Sequence, residues 1–414
     1  MEGLEVNAKK KACLKLACAV LSLVLCIGAV GVGTGAIQVG DYNNEAERDT
    51  VPFYEFDHRF CPHEKLGEEG KVGTYPNGET PGEMATKCAR CGAWVGTQTI
   101  PALKIGAASL SLTDNLTINY KIKKSLLAEG YYTNPYVEVT MQGETVTLTE
   151  YREDSNYYIF PFEDLAPHLM DEVIVAVPYA TCVDQVCVGK AQDYSIKEYC
   201  YKNLDTYSAD QYAPLRTLLV DLLNYGAASQ KYVGDSEDIL VNAELTAAQK
   251  AWGTAGDRTL TSLQDTKYAV NEGATVKWKG AGLSLQDSVA IRFKIDATDV
   301  DGLYVRVINA NGVYTVPSEK FVKTSGGHYV YFDQLNAADM GMANYATVYD
   351  ANGPISNTIC YSIESYAYTQ KATATDQNLI DLIDAMIRYG DAAKSYVNNG
   401  GVPGLSEDHW TKLY

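Results

Sequence analysis

The chain has 414 residues, 46% of them apolar, and carries 34 Lys and Arg against 52 Asp and Glu, a formal net charge of −18. That composition is globular and excludes a disordered chain, and the length is that of roughly two to four domains. The negative field repels phosphate backbones, and no basic stretch interrupts it outside the N-terminus, so nucleic acid is excluded as a partner.

The N-terminus is an address. Lys9-Lys10-Lys11 precede an apolar run from Leu16 to Val32, and no acidic residue lies between Ala8 and Gly40. Residues 1–36 therefore read either as a signal peptide cleaved after Ala36 or as an N-terminal membrane anchor, since spanning needs at least ~17 residues. Both readings place the rest of the chain outside the cytoplasm and give the membrane no other point of contact. Cys18 and Cys26 stand in poor contexts for lipid attachment. Residues 37–55 are polar and aperiodic, a linker.

Residues 56–100 are rich in Gly, Pro and Lys, with few large apolar residues. A segment below ~40–50 residues usually needs a metal or a disulfide to fold. Cys61-Pro62-His63 and Cys88-Ala89-Arg90-Cys91-Gly92 supply four N/S ligands: Cys61, His63, Cys88 and Cys91. That set has the composition of a closed structural zinc site, in which the metal provides the missing folding free energy. The alternatives are a Cys88–Cys91 disulfide with Cys61 spare, or His58 as the fourth ligand. Four protein ligands leave no open position for catalysis.

The run from Cys61 to Leu103, ending in Thr97-Gln98-Thr99-Ile100-Pro101-Ala102-Leu103, resembles a zinc-ribbon-like repeat. That repeat is found in secreted surface proteins of Gram-positive anaerobes such as gut clostridia. Members often carry a further cysteine midway, which this chain lacks. The resemblance implies an extracytoplasmic bacterial protein and nothing catalytic.

From residue 101 the pattern becomes strand-like. Leu116 to Ile122 alternates apolar and polar residues. Tyr136 to Met141, a turn at Gln142-Gly143, and Thr145 to Leu148 read as a hairpin. Tyr157 to Phe160 and Val173 to Val177 read as further strands. Cys182 and Cys187 flank a hairpin tip; they would bond in an oxidising compartment or remain two thiols in a reducing one. A helix runs from about Ser195 to Lys202. Leu215, Leu218, Leu219, Leu222 and Leu223 then mark one face of a helix ending near Val233. Ser208 with Gln211 resembles a capping box before it, and Pro214 belongs in its first turn. Residues 101–233 form one β-rich module, and a connector, 234–279, holds a short helix between Leu245 and Trp252.

The next stretch repeats the first. Leu110-Ser111-Leu112 with Ile118, Lys121 and Ile122 recurs as Leu283-Ser284-Leu285 with Ile291, Lys294 and Ile295. Tyr194-Ser195-Ile196 recurs as Tyr361-Ser362-Ile363, and Leu215, Leu218, Tyr225, Gly226 and Tyr232 recur as Leu379, Leu382, Tyr389, Gly390 and Tyr396. Order holds while spacing drifts, as when one module is used twice and only loops differ. The second copy, 280–397, predicts strands at 289–295, 303–308, 313–316, 329–332, 345–349 and 356–360 before its helix; 398–414 is a tail. Gly inside a helix costs about 1 kcal/mol against Ala, so Gly226 and Gly390 imply that another element comes close there. The duplicated module also looks like one from secreted proteins of the same bacteria. Asp296 to Gly302, with Asp299 and Asp301, resembles a calcium loop but lacks the acidic residue at its twelfth position, so any Ca role is weak and a solvated turn fits better.

The expected fold is α+β and multi-domain: a small zinc-ribbon-like module, then two homologous antiparallel β-sandwich-like modules each ending in helices. No nucleophile elbow, phosphate loop or dinucleotide fingerprint is present. The five histidines, His58, His63, His168, His328 and His409, do not align between the copies. With 31 Tyr against 8 Phe and 4 Trp, the chain suits half-buried strands and wet binding surfaces. The expected function is an extracellular or cell-surface binding or adhesion protein whose partner is a glycan or a protein. The alternatives are a structural spacer of the cell surface and, less favoured, an extracellular hydrolase.

Overall fold

The computed structural model describes residues 66–88, 93–112, 116–128, 130–163, 165–234, 240–256, 258–285 and 289–399. The N-terminal segment 1–36, the linker, the ligand candidates Cys61, His63 and Cys91, and the end of the tail lie outside them. No helix among the described residues is long and apolar enough to cross a membrane. The chain is α+β, mostly antiparallel sheet, and divides into two units: Met1–Leu103 with Cys182–Cys187, and Lys104–Thr181 with Val188–Tyr414.

The first unit contains a three-stranded sheet of β1 (Leu66–Thr74), β2 (Gly82–Cys88) and β3 (Trp94–Ile100), in that order. A tight turn joins β1 to β2, with Asn77 and Thr80 exchanging N–H···O bonds of 3.0 and 2.9 Å around Gly78, whose φ is +59°. Ile100 and Leu103 are fully buried. In the same unit Tyr75 Oη donates to Asp184, which raises the Tyr75 phenol to about 12.

Zinc must be withdrawn. Among the described residues no group of three or more His, Cys, Asp or Glu could hold a metal ion. Cys88 is buried, and its N–H bonds to Ala93 O at 2.8 Å across the β2–β3 connection. Backbone ladders hold this sheet. Calcium fails for a related reason. Asp299 Oδ1 accepts the Asp301 N–H (3.2 Å) within the turn, and Asp296 Oδ1 accepts the Lys277 N–H (2.7 Å) at the end of the adjoining strand pair, so both carboxylates are engaged by backbone.

The second unit begins with the sheet β4-β5-β9-β8: β4 (Ala107–Ser111), β5 (Thr117–Lys123), β8 (Arg152–Glu153) and β9 (Tyr157–Phe162). A five-residue helix, α1 (Lys124–Ala128), follows β5 directly. A second sheet has the order β11-β10-β6-β7, from β6 (Tyr132–Met141), β7 (Glu144–Leu148), β10 (Ile174–Cys182) and β11 (Gln185–Val188), with β12 (Gln192–Tyr194) also on β10. The β6–β7 turn is the expected Gln142-Gly143, with φ of 52° and 83°, the paired left-handed conformation a two-residue hairpin needs. Burial along β10 alternates without a break, so one face is core and the other half-open.

Two helices follow. The Ser195 hydroxyl caps α2 (Ile196–Thr206), and α3 (Ala213–Val233) carries Pro214 in its first turn and ends at Gly234 with φ +96°. The expected capping box at Ser208 and Gln211 does not form. Residues Asp210–Tyr212 make a 3-10 turn, the α3 cap is Tyr212, and the Ser208 carbonyl accepts from Arg216. The capping box sits instead on α4 (Ala247–Lys250), between Thr246 and Gln249.

The later stretch has a comparable order. One sheet runs β14-β15-β19-β18, from β14 (Trp278–Ser284), β15 (Ala290–Ile295), β18 (Val322–Thr324) and β19 (Gly327–Phe332). The other runs β13-β22-β20-β16-β17, from β13 (Asp265–Ala269), β16 (Tyr304–Asn309), β17 (Gly312–Pro317), β20 (Asn344–Asp350) and β22 (Thr358–Tyr361), with β21 (Gly353–Pro354) on β20. Buried Val305, Val307, Ala346 and Val348 face inward, where Tyr314 meets Phe332 of the other sheet edge-on at 5.3 Å. Helix α5 (Ile363–Thr373) is capped by Ser362 and α6 (Gln377–Asn398) by Asp376.

Helices α3 and α6 pack on each other. A Cβ built on Gly226 would lie 2.7 Å from Met170 Sδ and 3.2 Å from Pro167 O; one on Gly390 would lie 2.6 Å from Met340 Sδ and 2.9 Å from Ala337 O. The close elements expected at these glycines are thus the 3-10 turns Pro167–Leu169 and Ala337–Asp339.

Candidate functional site

The open face of each larger sheet carries a stacked tyrosine pair. On β6, alternation turns Val137 and Val139 inward and leaves Tyr136, Glu138 and Thr140 half-buried on the other side. On β10 the same rule leaves Val175, Val177, Tyr179 and Thr181 outward. Tyr136 and Tyr179 stack there, with centroids 5.0 Å apart and planes 5° from parallel. Partial burial and a hydrogen bond to Glu138 both raise the Tyr179 phenol. Thr140 and Thr145 share a hydrogen bond of 2.8 Å further along the same face, toward the hairpin turn.

The second face is built alike. Tyr304, Arg306 and Ile308 point outward from β16, opposite Tyr349, Thr347 and Tyr345 of β20. Tyr304 and Tyr349 stack at 5.4 Å and 13°, and the Arg306 guanidinium lies 5.4 Å from the Tyr349 ring centre. Tyr345 meets Tyr268 of β13 at 4.6 Å, and their hydrogen bond raises the Tyr345 phenol. Thr347 and Thr358 bond at 2.8 Å. Each face thus offers a flat aromatic pair with hydroxyls and charges on the same side of the sheet, Glu138 near the first pair and Arg306 against the second.

A charged cleft of about 160 Å³ lies between residues 254–260, the end of α5 and α6. Four of its charged lining residues are paired. Arg258 donates to both Glu364 oxygens (2.6 and 3.1 Å) and to Asp391 Oδ2 (2.7 Å), and Lys371 pairs with Asp384 at 2.6 Å. Burial alone would raise the Glu364 carboxyl, but Arg258 and the Thr261 N–H outweigh it and hold the group below its usual range. This network ties the connector to the helices.

The site residues expected from sequence scatter. Cys88 is buried in the first unit, and Cys61, His63 and Cys91 are outside the described residues. Cys182 and Cys187 are buried, free thiols on either side of a turn in which Val183 has φ +57°. Burial pushes Cys182 up to about 11, which leaves little thiolate at neutral pH. His328 is buried, with Nδ1 2.9 Å from Ala297 O, and His168 sits in the 3-10 turn after β9.

Sequence reasoning missed the tyrosine pairs, although their signal is present: Tyr136-Val137-Glu138-Val139 and Tyr304-Val305-Arg306-Val307 share one pattern with the charge reversed. No protein-family model matches this chain, and no curated protein matches it in sequence.

Proposed function

We propose that this is an extracellular or cell-surface binding protein in which one β-rich module is used twice, each copy presenting its tyrosine face to a glycan. The observation that carries the reading is the recurrence of the stacked pair, Tyr136–Tyr179 and Tyr304–Tyr349, on the open side of the corresponding sheet. Core packing does not require an outward tyrosine pair twice. Tyrosine combines an apolar ring face with a polar tip, and so can stack on the C–H face of a sugar ring while Thr and charged neighbours meet its hydroxyls. Two tethered faces add avidity to weak individual sites. The N-terminal basic and apolar segment supports an extracytoplasmic address.

A protein partner is the second reading. It is favoured by Tyr268 (57% exposed), Val313 (56%) and Ile308 (42%), which add exposed apolar area to the second face. A glycan array and a pull-down with the full chain, compared with Tyr136→Ala/Tyr179→Ala and Tyr304→Ala/Tyr349→Ala variants, separate the readings. Selective glycan signals that fall in both variants support the proposal. Protein capture lost only in the second variant supports the alternative, and no selective ligand at all leaves the spacer.

A further inference from the structure

A second cleft, of about 210 Å³, opens in the second unit between the sheet β4-β5-β9-β8 and the loop after β19. Thr117, Arg152 and Glu163 line it from the sheet, and Asp333, Gln334 and Asn336 from the loop. None of these belongs to a tyrosine face. Its volume equals that of about seven waters at ~30 Å³ each, below the ~300 Å³ usual for drug-sized ligands, so a single small ring is the largest class it suits.

The cleft is organised from beneath. Asn119 on β5 is only 4% exposed, a buried amide with both ends engaged. Its Nδ2 donates to Ser111 Oγ (3.1 Å), and its Oδ1 accepts from Arg152 Nη2 (2.7 Å). The guanidinium, on the exposed two-residue strand β8, is thereby fixed in direction. This bond uses one of its five N–H donors. On the loop side Gln334 Nε2 donates to Asp333 Oδ1 (3.0 Å), and Asn336 Nδ2 to Asp339 Oδ2 (3.2 Å), which orients both amides. A polar ligand would meet one guanidinium, two carboxylates, two amides and the hydroxyls of Ser111 and Thr117. Carboxylates outnumber cations, so a neutral sugar would leave one of them without a counter-charge.

We propose that this cleft binds one hexosamine unit whose amine is unsubstituted: the ammonium sits against Glu163 and Asp333, and the ring hydroxyls take Arg152, Gln334, Asn336 and Thr117. The proposal does not depend on the tyrosine faces. Titration of the full chain with glucosamine, N-acetylglucosamine and glucose, followed by calorimetry or ligand-observed NMR, tests it. Glucosamine should bind at least about tenfold more tightly than the other two, the factor expected for one charge-assisted contact. Asp333→Asn and Glu163→Gln alter exposed side chains; each should weaken glucosamine about tenfold while the melting temperature holds. Tyr304→Ala/Tyr349→Ala should leave glucosamine binding unchanged, which separates this site from the glycan faces. Equal binding of the three sugars, binding of none, or full affinity in Asp333→Asn would overturn the proposal.

Discussion

Tyr225 of α3 stacks on Tyr389 of α6, with ring centroids 5.7 Å apart and planes 14° from parallel. Each precedes the packing glycine of its helix, Gly226 or Gly390, and the two helices meet at these rings. Both rings are buried, and Tyr389 Oη donates to Leu112 O at 2.8 Å.

Tyr389→Phe keeps the stack and strands the Leu112 carbonyl, so it should cost about 1 kcal/mol. Tyr389→Ala also removes the ring from the core and should cost about 3 kcal/mol or more. Urea unfolding of both variants checks the order; equal losses would mean that the ring contributes nothing beyond its hydroxyl.

The packing glycines should resist the substitution that helix propensity favours. Alanine at Gly226 or Gly390 gains about 1 kcal/mol of propensity. Against this, a Cβ at Gly390 lies 2.9 Å from the Ala337 carbonyl, which is backbone and cannot rotate away, while at Gly226 the nearest backbone atom is 3.2 Å off. Overpacking should win at both sites, with net losses of about 1–2 kcal/mol and the larger at Gly390. The comparison of unfolding midpoints decides.

Glu364 should make the chain sensitive to acid. Its carboxyl is held below the usual range by Arg258 and the Thr261 N–H against the opposing effect of burial. An acid with a depressed folded pKa stabilises the fold above its unfolded pKa and loses that contribution as pH falls through the folded value. Glu364→Gln should therefore cost about 2 kcal/mol near neutrality and flatten the fall in stability below pH ~4. Parallel pH–stability curves in the two proteins would refute the assignment.

Cys182 and Cys187 should react slowly in the native chain. Both are buried, and burial raises both thiols. Mass mapping after maleimide treatment should find them labelled only after denaturation. Rapid native labelling, or a Cys182–Cys187 disulfide under non-reducing conditions, would contradict the free-thiol arrangement.

The regular elements were largely legible because their signals are local. Strand alternation placed β5, β6, β9, β16 and β19, the Gln142-Gly143 turn marked the β6–β7 hairpin, and the leucine stripe marked α3. Short elements were not: the five residues of α1 are too few to show a period, and β8 is two residues long. Ser208 and Gln211 have the spacing of a capping box, but the intervening 3-10 turn moves the helix start to Tyr212. The zinc reading rested on spacing in a stretch where backbone pairing supplies the structure and Cys88 alone of the four ligands is described. The tyrosine faces and the Arg152 cleft were hidden for another reason. Tyr136 and Tyr179 lie on strands far apart in the chain, and the cleft joins β5, β8 and the loop after β19, so only strand order brings these residues together.

The most direct test of the glycan-binding account is the affinity of the full chain for an immobilised bacterial-surface or host glycan identified on an array. It should be measured for the intact protein, each single-pair variant and the variant lacking both pairs. Loss of either Tyr136–Tyr179 or Tyr304–Tyr349 should lower apparent affinity at least about tenfold through lost avidity, and loss of both should abolish binding while the circular dichroism spectrum is unchanged. Undiminished binding by the variant without either pair would contradict the account.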